Sequence, residues 1–163
     1  MKTLFVIATF FSLTGQAFAC SCLAPKVSDT LKWADVVFSG EVIKVQYVDA
    51  KTENIFNEPR IIVTFNVSDS WKGKVQKTMT LHTRYNMTSC SGLIVKEGDR
   101  FLIYAKRVKA GNWLGRGGAL NGITLPKPED DILQPGICNR SGLLADADED
   151  LKALGRSKAP TDN

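Results

Sequence analysis

The four cysteines, Cys20, Cys22, Cys90 and Cys138, carry most of the reactive chemistry in this sequence. In an oxidising compartment an even number of cysteines is normally paired, so an exported chain of this kind is predicted to form two disulfides. A bond between Cys20 and Cys22 would close a strained ring across a single residue. Each of these two is therefore expected to pair with Cys90 or with Cys138, in either combination.

A thiolate metal site or a redox Cys-Ser-Cys motif is the alternative interpretation of the same cysteines. Metal sites usually place cysteines about two to four residues apart, with a second such pair or with histidines as partners. Cys90 and Cys138 stand alone here, and His82 is the single histidine of the chain. Because a lone histidine in an alternating stretch is most often a rim or surface residue, disulfides are the favoured prediction.

The first nineteen residues have the composition of a secretory signal peptide. Lys2 precedes an apolar run from Leu4 to Leu13, and Ala17-Phe18-Ala19 supplies the small residues of a cleavage site. An apolar run this short cannot span a bilayer core of about 30 Å, and no later segment is long and apolar enough to predict a transmembrane helix. We therefore predict a signal peptide over 1–19, export to an extracellular or periplasmic location, and a mature chain that begins at Cys20 with a free α-amino group.

Bacterial lipoproteins also place a cysteine directly after the cleavage site, where it carries acyl chains. Their processing usually has a Leu-like residue a few positions before the cysteine, whereas this sequence has Ala17 and Ala19. Ordinary secretion is the preferred interpretation, and lipid anchoring at Cys20 is the alternative.

The elements that must position these cysteines are mostly strands. β-branched and aromatic residues dominate 36–48 and 60–68, and they alternate with polar ones as in a half-buried strand. The two stretches predict a long hairpin with a polar connection from Asp49 to Pro59. Further strands are predicted over 77–83 and 100–108, with weaker candidates at 113–114 and 123–125.

Helical signals are confined to the two ends of the mature chain. Ser28 and Asp29 are predicted to cap a short helix that carries Trp33, and 146–154 has acidic residues first, Lys152 late and Gly155 just beyond. About five strands with few helices favour a mainly β, five-stranded OB-fold-like barrel with a short N-terminal helix and a C-terminal helix. The domain is predicted over 20–155, followed by a flexible tail over 156–163.

Composition excludes several classes of protein. With 44% hydrophobic and 23% charged residues in 163, the chain is expected to be one globular domain rather than disordered or collagen-like. A formal net charge of +4, without a long single-sign run, gives no reason to predict a nucleic-acid partner. No Ser-His-Asp set or paired-carboxylate motif is visible, so no enzymatic activity is predicted. The acidic cluster Glu129–Asp131, between Pro128 and Pro135, is predicted to be an exposed loop.

Taken together, several short motifs resemble the netrin-like module. They are Cys20-Ser21-Cys22 directly after the signal peptide, Trp33-Ala34-Asp35 before a strand, Ser70-Trp71-Lys72-Gly73, Thr88-Ser89-Cys90 before Gly98-Asp99-Arg100, and the late Cys138. The arrangement is similar to the N-terminal domain of the tissue inhibitors of metalloproteinases and covers essentially the whole mature chain. The resemblance implies an OB-fold barrel and the disulfides Cys20 with Cys90 and Cys22 with Cys138.

The resemblance also implies a function: secreted, monomeric inhibition of a zinc metalloendopeptidase. The inhibitor would need no cofactor of its own, because the metal is the zinc of the target protease, bound by the main-chain amine and carbonyl oxygen of Cys20. In the resembled inhibitors the residue after the first cysteine, here Ser21, enters the specificity pocket, and the connection from Asp49 to Pro59 would be an outer contact. The implied protease-binding residues are Cys20, Ser21, Cys22, Leu23, Thr88, Ser89 and Cys90.

Such a chelate has a physical basis that is independent of the resemblance. A catalytic zinc keeps one coordination position open for water. An unprotonated α-amine and the carbonyl oxygen of the same residue can displace that water by forming a five-membered ring, and an α-amine with a pKa near 8 is deprotonated at low cost. Because ordering a flexible terminus costs about 1–2 kcal/mol per residue, the disulfides must hold Cys20 in place beforehand.

Three departures from the resembled inhibitors leave a second function open. Their further N-domain disulfide and their cysteine-rich C-terminal domain have no counterpart here, and Pro25 stands one position later than in their usual arrangement. A secreted or lipid-anchored netrin-like module that binds a protein without inhibiting it is therefore the alternative.

Overall fold

The structure is a computed structural model that describes residues 23, 25–49, 59–85, 92–114, 119–120, 122–136, 138 and 140–162. Among these residues it has six strands and three α-helices. The strands are β1 (Val36–Tyr47), β2 (Arg60–Lys72), β3 (Thr78–Arg84), β4 (Arg100–Lys109), β5 (Asp131–Pro135) and β6 (Gly142–Leu143). The helices are α1 (Val27–Trp33), α2 (Gly111–Leu114) and α3 (Asp148–Leu154), with a 3-10 turn at Leu144–Asp146.

Five of the strands close into a barrel. The order is β1-β2-β3-β5-β4, and β1 closes the ring by also pairing with β4, with Val36 opposite Ala105. β3 and β5 are parallel, with Leu81 opposite Leu133, whereas the other barrel pairs are antiparallel. The predicted fold class, a mainly β five-stranded barrel with a short N-terminal and a C-terminal helix, is confirmed.

Inward-facing side chains of all five strands fill the barrel. Phe65 lies at its centre, edge-to-face with Phe38 at 5.5 Å and with Phe101 at 6.4 Å between ring centroids. Burying each such side chain stabilises the fold by about 1.5–3 kcal/mol. The cluster comprises Val36, Phe38, Val42, Ile61, Val63, Phe65, Val67, Val75, Met79, Leu81, Leu93, Val95, Phe101, Ile103, Ala105 and Leu133.

Two smaller apolar clusters lie on the outside of the barrel wall. In the first, α1 and α3 cover the outer faces of β1 and β4, and its buried members are Ala34, Val37, Leu102, Tyr104 and Ala147. In the second, the chain after β4 covers the outer faces of β2 and β5, and its buried members are Val48, Ile62, Ala110, Trp113 and Ile132.

The fifth strand of the barrel is not where the sequence predicted it. Trp113 and Leu114 lie in α2 instead of a strand, and 123–125 is not a strand either. The missing strand is β5, which begins at Asp131, the last residue of the acidic cluster; the cluster Glu129–Asp131 is itself exposed, as predicted. β5 starts with an aspartate and ends with a proline, and only its pairing with β3 and β4 makes it a strand, so local sequence signals could not identify it.

The segment predicted as a flexible tail is tied to the barrel as far as residue 162. Lys158 and Ser70 exchange two main-chain hydrogen bonds of 2.8 and 2.9 Å, and the Thr161 amide donates to the Val75 carbonyl oxygen at 2.9 Å. β2 runs on beyond its last pair with β3, Asn66 with Thr78. The tail therefore satisfies main-chain groups of β2 that β3 leaves unpaired.

Both terminal helices form, with one difference at the first. α3 ends at Leu154 as expected, and Gly155 follows with a φ of +69°, a conformation that favours glycine. α1 begins at Val27 with Lys26 as its N-cap, and no side chain caps it, so the predicted capping by Ser28 and Asp29 is wrong.

Gly73 occupies a position that no other residue fits. Its φ is +79°, and a Cβ atom there would lie 2.3 Å from the main-chain oxygen of Asp35. The neighbouring Lys72 ties this turn to the end of α1, because its Nζ donates to the Leu31 carbonyl oxygen at 2.7 Å.

Substituting alanine for Gly73 is therefore expected to lower the free energy of unfolding by about 2 kcal/mol or more, since it combines backbone strain with a main-chain clash. Gly98→Ala is the matched control, because Gly98 also has a positive φ, +89°, but a Cβ atom there would have no neighbouring atom within 4 Å. Urea unfolding of both variants tests this. Equal losses for the two variants would show that the clash with Asp35 is relieved at no cost.

The second half of β1 forms an edge of the sheet. After Glu41, β1 pairs with β2 alone among the described residues. On its other side the Gly98 amide donates to the Val42 carbonyl oxygen at 2.8 Å, and Glu97 Oε1 accepts from the Val45 amide at 3.2 Å. The Glu97 carboxylate thus accepts from a main-chain amide that could otherwise pair with a neighbouring strand.

Candidate functional site

Most of the predicted protease-binding residues lie outside the described part of the chain: Cys20, Ser21, Cys22, Thr88, Ser89 and Cys90. The predicted signal peptide, 1–19, lies outside it as well. Leu23 is described, and 89% of its surface is exposed. The residues that flank the predicted site on each side are described.

The segment that leads from the predicted site into α1 is held by Arg140. Arg140 Nη1 donates to the main-chain oxygen of Pro25 at 3.1 Å. Its Nε and Nη2 donate to the two carboxylate oxygens of Asp150 at 2.8 and 2.7 Å, and Nη2 also donates to Glu149 at 2.7 Å. We call Pro25, Arg140, Glu149 and Asp150 the Arg140 clamp. It joins the chain ahead of α1 to α3.

Tyr104, which is fully buried, forms a hydrogen bond with the Arg140 clamp. The Tyr104 hydroxyl donates to Asp150 Oδ1 at 2.8 Å, and Asp150 is itself only 4% exposed. Burial, followed by the hydrogen bond to Asp150, raises the pKa of Tyr104, so the hydroxyl remains a donor at any ordinary pH. The hydrogen bond to Asp150 likewise raises the pKa of Arg140. The carboxylate therefore holds a permanent cation in a fixed orientation.

Sequence reasoning missed the Arg140 clamp. Asp150 was predicted only as one of the acidic residues that favour the start of α3, and this role explained it fully. No sequence signal assigns this role to Arg140, and its partners Pro25 and Asp150 are 115 and 10 positions away in the chain. Only the barrel topology brings them together.

The connection after β5 also borders the N-terminal segment. The Trp33 ring packs so closely on Gly136 that a Cβ atom at Gly136 would lie 2.8 Å from it. Cys138 follows, with a φ of +53°, and it is disulfide-bonded. Gly136 and Arg140, which lie two residues before and two residues after Cys138, thus both contact the segment 25–33.

The segments that follow β3 and β5 lead toward Cys90 and Cys138 in the sequence. Because β3 and β5 are parallel neighbours, the segments that follow them leave the barrel in the same direction. The connection after β3 also starts and ends at adjacent positions, since Tyr85 and Leu93 form an isolated bridge and the Leu93 amide donates to the Arg84 carbonyl oxygen at 3.0 Å. Residues 86–91, which include three of the predicted site residues, lie between these anchors.

The predicted outer loop has a cross-linked base. β1 ends and β2 begins close to the predicted limits, and 50–58 lies outside the described residues. Arg60, only 3% exposed, donates through Nε and Nη2 to Asp49 at 2.8 and 2.5 Å, which lowers the pKa of Asp49. Its Nη1 donates to the Leu114 carbonyl oxygen, and its guanidinium lies 5.6 Å from the Trp113 ring centroid. The two ends of the loop are therefore fixed to each other and to α2.

His82 lies beside this loop base and is half-buried. Its ring meets Trp113 edge-on at 5.0 Å between centroids, and Trp113 Nε1 donates to the Thr83 carbonyl oxygen at 3.1 Å. The buried His82 Nδ1 has no hydrogen-bond partner among the described residues. Burial lowers the pKa of His82 from 6.5 to about 4, so the imidazole is neutral in the folded protein near pH 7.

This burial predicts acid sensitivity. Between pH 6.5 and about 4 the unfolded chain binds a proton at His82 that the folded chain does not, so the free energy of unfolding falls as the pH is lowered through this window. Because the His82 ring is partly exposed, we expect the free energy of unfolding to fall by about 2 kcal/mol across this window. Urea unfolding of the wild type and of His82→Gln across this pH range measures it, because the variant should lack this part of the pH dependence. Parallel curves for the two proteins would contradict the assignment.

The described ranges contain neither a metal-binding cluster nor a membrane-spanning helix. No group of three or more His, Cys, Asp or Glu side chains there is arranged to hold a metal ion. None of the described helices has the length and apolar character needed to cross a membrane. In comparisons with known proteins, neither the family models nor the curated protein sequences that were searched give a match to this chain.

Proposed function

We propose that this protein is a secreted inhibitor of zinc metalloendopeptidases. The mature chain begins at Cys20, after removal of the signal peptide, and the α-amine and carbonyl oxygen of Cys20 bind the catalytic zinc of the target protease. Disulfides from Cys20 to Cys90 and from Cys22 to Cys138 fix this terminus on the barrel. The inhibitor acts as a monomer outside the cell or in the periplasm, and the only metal involved belongs to the protease.

The contact between Arg140 and Pro25 is the observation that carries this proposal. Cys22 precedes Pro25 by three residues, and Cys138 precedes Arg140 by two. Each residue extends a chain by at most about 3.5 Å, so the contact leaves a bond between Cys22 and Cys138 within reach. The bonded state of Cys138 and the shared direction of the segments after β3 and β5 are also what the proposed pairing requires.

The surroundings of the proposed terminus suit a protein contact. Leu23 presents 89% of its surface to solvent, and in the proposed complex this surface becomes buried against the protease. The Arg140 clamp and the fixed loop base at Arg60 also reduce the conformational freedom that would be lost on binding. A rigid scaffold with an exposed contact segment is what a tight inhibitor needs.

Acetylating the α-amine of the mature protein tests the proposal directly. The free amine should inhibit at least one member of a panel of zinc endopeptidases, and the acetylated protein should not, because an amide nitrogen is not a zinc ligand. Intact mass spectrometry of the mature protein must first show a bare Cys20. Acyl chains on Cys20 would instead establish the lipid-anchored alternative.

Unchanged inhibition after acetylation would rule out the chelate. If neither form inhibits any protease in the panel, the protein is a binding module without inhibitory activity.

A further inference from the structure

We propose that Arg140 is a positioning residue for the inhibitory terminus, fixing the path of the chain from Cys20 to α1 without touching the protease. The inference rests on the proposed function, which it deepens. It concerns a side chain that lies far from the terminus in sequence and belongs to none of the predicted contacts.

The Arg140 guanidinium is held in place by hydrogen bonds that do not involve Pro25. Both oxygens of Asp150 accept from it in a two-pronged arrangement, and the Tyr104 hydroxyl fixes the same carboxylate from the barrel side. The side chains of Arg140 and Asp150 are 13% and 6% exposed, so solvent competes little for these hydrogen bonds. The remaining Nη1 donor therefore points in one direction, toward the Pro25 carbonyl oxygen.

Pro25 is a suitable point of attachment. Its ring restricts φ to a narrow range, so fixing its carbonyl oxygen also restricts the direction of the chain on either side. The Lys26 carbonyl oxygen that follows accepts from the Thr30 amide at 3.0 Å and thus belongs to the first turn of α1. Arg140 consequently aligns the segment ahead of Pro25 with a helix that is already packed on the barrel.

The variant Arg140→Lys distinguishes a positioning role of Arg140 from the effect of its charge. Arg140→Lys keeps a cation beside Asp150, but a single ammonium group cannot reproduce the planar fork and also reach Pro25. We expect the inhibition constant to rise roughly tenfold, the usual effect of losing one hydrogen bond to a charged group. Amide hydrogen exchange of the N-terminal peptide ending at Trp33 should become faster at the same time.

Val63→Ala is the matched control for loss of stability. Val63 is fully buried in the barrel core, on β2, and belongs to the apolar barrel cluster rather than to the Arg140 clamp. This variant should lower the thermal stability but leave both the inhibition constant and the exchange of the N-terminal peptide unchanged. Inhibition is measured at a temperature at which circular dichroism shows all three proteins to be fully folded.

The outcomes distinguish this inference from the proposed function. Faster exchange together with weaker inhibition in Arg140→Lys alone supports positioning. The inference is overturned if the N-terminal peptide of Arg140→Lys exchanges as slowly as that of the wild type, or if it exchanges faster while the variant inhibits as well as an active wild type. It is also overturned if Val63→Ala shows the same effects as Arg140→Lys. If the wild type inhibits no protease, the proposed function fails, and exchange alone decides whether Arg140 orders the terminus.

Discussion

An additional alanine in front of Cys20 is expected to weaken inhibition of the target protease by more than about 100-fold. Changes that touch only the groups around a metal ligand already reduce affinity by about 10–100-fold, and this change removes a ligand. The extension converts the α-amine of Cys20 into an amide, which cannot bind zinc, and it moves the new amine away from the Cys20 carbonyl oxygen. The five-membered ring is then lost, although the fold is untouched.

The same alanine placed after Asn163 is the matched control, because it lengthens the chain by one residue at the opposite terminus. Inhibition constants of the two extended proteins and the wild type should show a loss for the N-terminal extension alone. Comparable inhibition by all three proteins would mean that the terminus does not bind the metal.

Replacing Asp150 with alanine is expected to lower the free energy of unfolding by about 3–5 kcal/mol, the usual effect of removing one partner from a buried ion pair. The variant leaves the Arg140 guanidinium and the Tyr104 hydroxyl without the carboxylate that now accepts from both. The loss should far exceed what the position of Asp150 in the first turn of α3 would explain, since such a charge contributes about 0.3–1 kcal/mol.

Asp148→Ala measures that smaller contribution. Asp148 is also in the first turn of α3, but it is exposed. Urea unfolding of both variants at pH 7 gives the two losses, and their difference isolates the buried network. Similar losses for Asp148 and Asp150 would show that the Arg140 clamp adds nothing to stability beyond the helix-terminus effect.

The barrel could be predicted from the sequence because four of its strands carry their own signal. β1, β2, β3 and β4 have at least seven residues each and are rich in β-branched, aromatic or other apolar residues, and their limits differ from the predicted ones by only a few residues. β5 has five residues and begins with an aspartate. Its identity depends on two neighbours that are distant in sequence, so no local pattern could have identified it.

The candidate site remains a prediction, and it rests on a different kind of signal. The cysteines and the processing signal point to the terminus because their chemistry depends on residue type and spacing. The side chains that hold the segment ahead of α1, Arg140 above all, do not have this property. An arginine acquires a partner only when the fold brings one to it, and here the partners come from the chain ahead of α1 and from α3.

The carboxylate of Glu97 lies beside the second half of β1, and this placement bears on self-association. A free strand edge with unpaired amides is a template on which a second chain can add a strand, and extended growth of such contacts leads to fibrils. Glu97 already accepts from the Val45 amide and brings a negative charge to that margin. An incoming backbone would have to displace this carboxylate and approach its negative charge, so the placement of Glu97 disfavours edge-to-edge pairing.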